Sequence, residues 1–274
     1  MYSSNEPKQP RKPVTVATMA KMKREAEKLV MLTAYDASFA AVCDMAAVDV
    51  ILVGDSLGMV MQGQASTIPV TVDDMVYHTK CVCSRSGNSF VIADMPFMSY
   101  NTAEDAAKTA ARLMKEGGAQ MVKLEGGEGQ IEKVRFLTSQ GVPVCGHLGL
   151  LPQSVHKLGG YKVQGREDAQ AQTIINEAKM LEEAGADILV IECVPAELAK
   201  RVTESVSIPV VGIGAGIDCD GQVLVLQDML GITPGKRPKF SKNFMEDASS
   251  IAEAVSNYVS AVKAKEFPAP EHNV

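Results

Sequence analysis

Short apolar runs, rich in β-branched residues, recur eight times along the chain, with longer amphipathic stretches between most of them. Runs of this length without strict alternation of apolar and polar residues predict parallel strands that are buried on both faces. The predicted strands are residues 29–33, 51–54, 90–93, 121–124, 142–144, 188–191, 208–213 and 223–226. The pattern therefore predicts a chain in which strands alternate with helices.

Helix start and stop signals occur between the predicted strands. Thr71 is suited to cap a helix whose first turn carries Asp73 and Asp74. Thr102 opens an alanine-rich helix that ends at the glycine pair 117–118. Further helices are predicted over residues 167–183, after Pro195 and, as one long C-terminal helix, over residues 244–265.

The alternation of strands and helices indicates a parallel sheet with right-handed crossovers. Eight strands in 274 residues fit a single-domain (β/α)8 TIM barrel over residues 14–274, and an open doubly wound sheet is the alternative. Residues 1–13 are polar and contain three prolines, so we interpret them as a disordered leader. The C-terminal helix is a candidate for packing on a neighbouring subunit.

Composition narrows the class of protein. The net charge of −6 argues against nucleic acid as a partner, because phosphate binding needs a clustered basic surface. No apolar stretch is long enough to span a membrane, and the N-terminal residues lack the apolar core of a signal peptide. The six cysteines form no Cys-x-x-Cys pair, which is typical of a reduced compartment, so we expect a cytoplasmic protein.

Four of the predicted strands end on an acidic residue. These residues are Asp55, Asp94, Glu125 and Glu192. An acid at the end of a buried strand is costly unless it is paired, hydrogen-bonded or bound to a metal. Because the active sites of α/β barrels lie at the C-terminal ends of the strands, we expect the four acids to share one site.

Asp55 and Asp94 are the best candidates for metal ligands, since both are followed at once by turn residues. Carboxylates without His or Cys ligands nearby favour a hard cation such as Mg²⁺. Lys123 and Glu125 stand two positions apart in one strand and therefore point to the same face. Lys123 could hold an anionic substrate, and Glu125 could bind the metal directly or through water. The alternatives are capping roles for the aspartates and a structural ion pair for Lys123 and Glu125.

Glu192 and His147 are candidates for proton transfer. Glu192 follows an apolar strand and has no basic neighbour in sequence, and a carboxylate in apolar surroundings suits a general base near neutral pH. Its alternative role is a cap before Pro195. His147 lies between glycines that permit close approach of a ligand, and it fits a proton shuttle, a hydrogen bond to substrate or a structural histidine.

Two glycine-rich segments lie in predicted loops. Residues 212–216 would form a dinucleotide fingerprint only with glycine at position 217, where the chain has Ile217. We interpret this segment as a loop that lets a ligand approach, or as a phosphate site. Residues 159–165 are a candidate lid over the active site.

These residue types together favour one class of reaction. A metal held by carboxylates, a nearby lysine and a separate carboxylate base suit proton abstraction beside a carbonyl, with the enolate stabilised by the metal. A 2-oxo acid would chelate Mg²⁺ through its keto and carboxylate oxygens and lose its C3 proton to the base.

Seven motifs in a fixed order carry a resemblance to a known family. They are VGDSLG (53–58), TIPVT (67–71), ADMPF (93–97), VKLEGG (122–127), GHLGL (146–150), GGYKVQG (159–165) and GIGAG (212–216). From about residue 14 to the C-terminus, the chain resembles the ketopantoate hydroxymethyltransferase family of the phosphoenolpyruvate/pyruvate barrel superfamily.

The resemblance implies a reaction. A hydroxymethyl group passes from 5,10-methylenetetrahydrofolate to 3-methyl-2-oxobutanoate and gives 2-dehydropantoate, in the first committed step of pantothenate biosynthesis. Asp55 and Asp94 are then expected to bind Mg²⁺, with Glu125 as the third acidic partner. Ser56 and Lys123 match positions that contact the oxo acid, and Asp55 and Asp94 are expected to bind it as well. Glu192 matches the proton acceptor, and the family implies a large homo-oligomer, commonly a decamer.

Two rival functions stay open. Another Mg²⁺-dependent 2-oxo acid lyase of the superfamily is the nearer rival, but the long loops 59–71 and 150–165 lack the reactive cysteine that such lyases often use. A non-catalytic, metabolite-binding barrel is the other, and the loss of any of the acids would have supported it.

Overall fold

The computed structural model describes residues 11–233 and 235–274, and in it eight parallel strands close into a barrel in the order of the sequence. The strands are β1 (Leu29–Thr33), β2 (Val50–Val53), β3 (Phe90–Asp94), β4 (Met121–Glu125), β5 (Val144–Gly149), β6 (Ile188–Glu192), β7 (Val210–Ile213) and β8 (Gly221–Leu224). Closure occurs between β8 and β1, where Leu29 pairs with Gly221 and Leu32 pairs with Leu224. The predicted (β/α)8 barrel is confirmed, and the open sheet is excluded.

Most helices follow a strand and lie on the outside of the barrel, but the first one precedes β1 and contributes side chains to the apolar interior. The helices are α1 (Val16–Arg24), α2 (Ala37–Met45), α3 (Leu57–Val60), α4 (Val72–Cys83), α5 (Ala103–Lys115), α6 (Ile131–Ser139), α7 (Val155–Leu158), α8 (Asp168–Glu183), α9 (Ala196–Ser205), α10 (Leu226–Met229) and α11 (Ile251–Lys263), with short 3-10 turns at Glu128–Gln130, Pro152–Ser154 and Pro270–His272. No helix in the described part of the chain is long and apolar enough to cross a membrane.

The capping signals read from the sequence are confirmed. The Thr71 hydroxyl accepts a hydrogen bond from the Asp74 amide at 3.1 Å, and the Asp74 carboxylate accepts from the Thr71 amide at 2.9 Å. This reciprocal capping box starts α4. The Thr102 hydroxyl likewise accepts from the Asp105 amide at 3.1 Å and starts α5.

Four predicted elements have boundaries that are wrong by two residues or more. β7 starts at Val210 instead of residue 208. β5 starts at Val144 and runs on to Gly149, so His147 lies within the strand rather than after it. The reason is that Gly146 and Gly149 interrupt the apolar pattern without interrupting the pairing. β8 covers Gly221–Leu224, because Leu226 already starts α10. The C-terminal helix is shorter than predicted: its cap is Ser250, and Phe244 packs edge-on against Tyr258 instead of joining the helix.

Side chains at alternate strand positions fill the barrel interior, which has an apolar lower part and a polar upper part. The lower part is an apolar cluster to which α1 contributes Met19 and Met22 and the strands contribute residues such as Leu29, Met31 and Phe90. The upper part, at the C-terminal ends of β3 to β6, carries polar side chains instead. The apolar cluster excludes water from beneath these polar groups and holds them rigidly.

The buried face of α11 is covered by the chain's own barrel. Ala254, Val255, Tyr258 and Val262 are buried against β1 and α2. The Tyr258 hydroxyl lies 2.9 Å from the Met31 carbonyl oxygen and donates towards it. This docking explains the helix without a second copy, and the contact with a neighbouring subunit stays a prediction.

The predicted leader lies mainly outside the described residues, which begin at Arg11. The Arg11 guanidinium donates to the Val48 carbonyl oxygen at 2.8 Å and to Oδ1 of Asp49 at 2.8 Å. Residue 11 therefore already contacts the barrel, at the lower end of β2.

Candidate active site

Six ionisable side chains predicted from the sequence meet at the C-terminal end of the barrel. Asp94, Lys123, Glu125, His147 and Glu192 occupy strand positions that point into the interior, and Asp55 follows β2. Parallel pairing sets Asp94 beside Lys123 in register and Glu125 beside His147. All are buried except Glu192, which is partly exposed. The six side chains therefore lie at the same end of the barrel.

Lys123 forms an ion pair with Asp94. Its Nζ atom lies 2.7 Å from Oδ1 of Asp94, while Oδ2 of Asp94 accepts a hydrogen bond from the Asp55 amide at 3.1 Å. Burial opposes the charged form of Lys123, but the carboxylates of Asp94, Glu125 and Asp55 outweigh it and hold the pKa of the ammonium group above its ordinary value. Lys123 is thus a fixed positive charge in this site.

Asp55 stands in an electrostatically unfavourable position. Burial raises the pKa of its carboxyl well above the ordinary value, and the negative charges of Asp94 and Glu125 raise it further. Lys123 and a hydrogen bond from Gln153 act in the opposite direction without cancelling the effect. The site therefore favours an additional positive charge near Asp55.

Ser56 follows Asp55 and stands at the start of α3. Its hydroxyl oxygen lies 2.8 Å from the hydroxyl oxygen of Tyr35, a fully buried residue in the loop after β1. Tyr35 was not found by sequence reasoning, because a tyrosine after an apolar strand is usual in a protein core. It fixes the Ser56 hydroxyl close to the acidic residues.

His147 lies between two carboxylates that come from neighbouring strands. Its Nδ1 atom is 3.5 Å from Oε1 of Glu125, and its Nε2 atom is 3.2 Å from Oε2 of Glu192. Burial and the charge of Lys123 lower the pKa of the imidazole, but the two carboxylates outweigh them and raise it to about 9. The expectation that Glu192 lies in apolar surroundings is wrong, since the closed barrel brings His147 against it.

Gln153 is a second residue that sequence reasoning missed. It lies in the 3-10 turn after β5, and its side-chain amide donates to Oδ2 of Asp55 at 2.8 Å and to the Met95 carbonyl oxygen at 3.0 Å. Its main-chain amide donates to Oε2 of Glu125 at 3.0 Å. A neutral amide in a loop carries no signal of such a role in the sequence.

The glycines of residues 212–216 are explained by packing within the chain. A Cβ atom on Gly214 would overlap the ring of Phe240, and one on Gly216 would press on Ala196; both glycines have positive φ, at +60° and +81°. Gly212 similarly leaves room for the Cys219 side chain. The segment therefore owes its glycines to close contacts with neighbouring elements.

The donor set of this site suits Mg²⁺. Within residues 11–233 and 235–274, no three His, Cys, Asp or Glu side chains already converge as a ready-made metal cluster. Mg²⁺ does not require one, since it commonly takes one or two carboxylates and keeps several waters. Asp55 and Asp94 are linked through the Asp55 amide. Among the described residues, the four carboxylates face Lys123 and His147 as cationic groups. The chemistry and the surplus of negative charge therefore fit a divalent cation.

Comparison with known proteins gives matches over nearly the whole chain. Residues 13–270 match the family described as ketopantoate hydroxymethyltransferase. The 3-methyl-2-oxobutanoate hydroxymethyltransferase of Alkalilimnicola ehrlichii is 59% identical over 100% of this chain and 98% of its own length. The enzyme of the same name from Nitrosococcus oceani is 61% identical over 93% of this chain and 97% of its own length.

The fold is also shared with solved structures. A phosphonopyruvate hydrolase in complex with oxalate and Mg²⁺ superposes with a TM-score of 0.61 at 12% identity, over 93% of this chain and 99% of that one. At this identity the likeness concerns the barrel alone. Because the family match covers residues 13–270 and two relatives are 59% and 61% identical over nearly their whole length, the chain belongs to the ketopantoate hydroxymethyltransferase family.

Proposed function

We propose that the chain carries out its family's reaction, the transfer of a hydroxymethyl group from 5,10-methylenetetrahydrofolate to 3-methyl-2-oxobutanoate, at the polar end of the barrel. The product is 2-dehydropantoate, and the step opens pantothenate biosynthesis. The observation that carries the proposal is the convergence of a lysine, a histidine and four carboxylates from the region of β2 to β6. These groups lie above the apolar cluster of the barrel interior. The much lower identity to lyases and hydrolases of the same fold disfavours the rival reactions.

In this proposal Asp55 and Asp94 hold Mg²⁺, with Glu125 as the third acidic partner. The surplus of buried negative charge and the raised pKa of Asp55 support a cation at this place. The Mg²⁺ and oxalate in the phosphonopyruvate hydrolase structure of the same fold support the choice of ion. When bound, Mg²⁺ would polarise the keto group of the oxo acid.

Lys123 and Ser56 bind the oxo acid beside the two aspartates. Lys123 offers a permanent positive charge, since its neighbours keep the pKa of the ammonium high. The hydroxyl of Ser56, fixed by Tyr35, offers a directional hydrogen bond. These two groups would orient the substrate so that C3 faces Glu192.

Glu192 takes the C3 proton. Water releases the methylene carbon from the two folate nitrogens as a formaldehyde unit, which C3 attacks, so that water supplies the hydroxyl oxygen of the product and tetrahydrofolate leaves. His147, at 3.2 Å from the Glu192 carboxylate, orients this base and lies between it and Glu125. An imidazole in this position can also pass the proton onward. His147 therefore has an auxiliary role in the proposal rather than a step of its own.

The remaining predictions concern the partners, the oligomeric state and the location of the protein. The partners proposed are small molecules, namely the oxo acid and the folate. A homo-oligomer, commonly a decamer by family resemblance, and a cytoplasmic location stay predictions. Light scattering of the purified protein measures the oligomeric state directly.

Exchange of the C3 proton of 3-methyl-2-oxobutanoate in D₂O tests the proposed base. Wild-type protein with Mg²⁺ is expected to exchange this proton without folate, and the variant Glu192→Gln is expected to be slower by about 100-fold or more, as for the loss of a general base. Glu197→Gln, at an exposed glutamate in the first turn of α9, is the matched control. Equal rates for wild type and Glu192→Gln would show that the base is another group.

A further inference from the structure

The three proposed metal acids belong to different parts of the chain, and one neutral residue contacts all three segments. Asp55 follows β2, Met95 directly follows Asp94 at the end of β3, and Glu125 ends β4. Gln153, from the turn after β5, contacts Asp55 and Met95 with its side chain and Glu125 with its main chain. It is itself only 5% exposed.

The orientation of the Gln153 amide is determined by its partners. The Met95 carbonyl oxygen can only accept a hydrogen bond, so the NH₂ group of Gln153 must face it, and the same group faces Asp55. The Oε1 atom then accepts from the Tyr100 hydroxyl at 2.5 Å, and that hydroxyl oxygen lies 3.4 Å from the Glu125 amide, which donates to it. Every polar atom of the Gln153 side chain is thus used.

A glutamine is chemically suited to this position. A carboxylate there would face Asp55 and the Met95 carbonyl oxygen with no proton to offer, and an apolar side chain would leave both acceptors without a donor. One N–H group of the amide donates to Oδ2 of Asp55, and the other donates to the Met95 carbonyl oxygen. The Asp55 carboxyl is therefore held in a fixed direction, as a metal ligand requires.

We propose that Gln153, held by Tyr100, is the positioning residue that sets the spacing of Asp55, Asp94 and Glu125 for the divalent cation. This inference rests on the proposed function, because it assumes that these acids hold the metal. It assigns no contact between Gln153 and the substrate. Its effect is to hold carboxylates from three strands in one arrangement before the metal binds.

Binding of Mn²⁺ alone to the full-length protein, followed by electron paramagnetic resonance of the free ion, tests the proposal without relying on activity. Gln153→Met, which keeps the length of the side chain, is expected to raise the Kd for Mn²⁺ by about 10- to 100-fold, the usual effect of losing a partner of a metal ligand. Tyr100→Phe, a milder change, is expected to raise the Kd in the same direction but less. Gln222→Met, at a buried glutamine of β8 that bonds the Gly216 carbonyl oxygen, is the matched control and is expected to leave it unchanged.

Kinetics separate a positioning role from general loss of structure. For Gln153→Met, the Mg²⁺ concentration at half-maximal rate is expected to rise about as much as the Kd, while kcat at saturating Mg²⁺ changes far less. If wild type binds Mn²⁺ and folded Gln153→Met and Tyr100→Phe bind it equally well, the positioning role is overturned and the metal site stands. If wild type binds no Mn²⁺, the proposed metal site fails, and this inference fails with it.

Discussion

The ammonium nitrogen of Lys123 lies 2.7 Å from Oδ1 of Asp94, and both side chains are buried inside the barrel. The pair belongs to neighbouring strands, and Asp94 and Lys123 are register partners between β3 and β4. It is therefore a product of strand pairing rather than of local sequence. Its importance is electrostatic, since Asp55 and Glu125 add further negative charge nearby.

Replacing Lys123 with methionine is expected to destabilise the metal-free protein by about 3 kcal/mol, because removing one partner of a buried ion pair leaves the other charge uncompensated. Added Mg²⁺ is expected to raise the Tm of Lys123→Met more than that of wild type, since the cation replaces the lost positive charge. Thermal unfolding with and without Mg²⁺ measures both effects. Lys108→Met, at an exposed lysine that pairs with Glu104, is the control and is expected to leave the transition unchanged. A Lys123→Met transition equal to that of the control would contradict the prediction.

Gly149, at the end of β5, allows the backbone to pass close to Glu192, the proposed base. Its φ is +88°, and a Cβ atom there would overlap the carbonyl oxygen of Glu192. Gly149→Ala is expected to destabilise the protein by about 3 kcal/mol through steric overlap and backbone strain, and to slow the C3 proton exchange because Glu192 moves. Urea unfolding and the exchange assay measure these effects.

Gly141 offers a matched control for that substitution. Its φ is +79°, but nothing lies within 4 Å of an added Cβ atom. Gly141→Ala is expected to cost only the strain of a left-handed alanine, about 1 kcal/mol, and to leave exchange unchanged. Similar losses at the two positions would show that overlap with Glu192 is unimportant.

The glycine-rich segment 159–165 is predicted to close over the bound oxo acid. Tyr161 in this segment is half exposed, and its hydroxyl lies 3.4 Å from the sulfur of Met59 across the mouth of the barrel. Hydrogen exchange of the main-chain amides in 159–165 is expected to slow when Mg²⁺ and 3-methyl-2-oxobutanoate are added. Amides around Gly141, on the opposite end of β5, serve as the control segment. Unchanged protection of 159–165 would rule out the lid.

The capping box of α4 predicts a pH-dependent contribution to stability. Hydrogen bonds from Thr71 lower the pKa of the Asp74 carboxyl. A lowered pKa in the folded state stabilises the protein above the ordinary pKa of the carboxyl, and this stabilisation is lost as the pH falls through the folded value. Thr71→Ala is thus expected to cost about 1 kcal/mol at pH 7 and less at acidic pH. Urea unfolding across pH measures the difference, and Thr71→Ser should retain it.

The fold followed from local pattern to a large extent. Apolar runs marked where β1 to β4 and β6 lie, because parallel strands buried on both faces cannot carry exposed polar residues. The pattern failed at β5, where glycines within the strand resemble a loop, and at the C-terminal helix, where Phe244 belongs to an aromatic cluster with Tyr258 and Phe267. Such packing depends on residues far apart in sequence.

The site was predictable where residue type alone carries the chemistry. An acid at the end of a buried strand is unusual enough to stand out, and the period of two along β4 placed Lys123 and Glu125 on one face. Gln153 and Tyr35 were not predictable, since a neutral amide and a buried tyrosine acquire a role only from what they touch.

By itself, the sequence determined the order of strands and helices, the shared face of Lys123 and Glu125 and the place of the acids at the C-terminal ends of the strands. Only the tertiary structure decided which charges pair. Closing the barrel sets β3 against β4 and β5 against β6, so Asp94 meets Lys123, Glu192 meets His147, and the turn after β5 brings Gln153 to Asp55. The physical reason is that pairing energies act across strands over a few ångströms, whereas sequence patterns report only the direction of each side chain along its own strand.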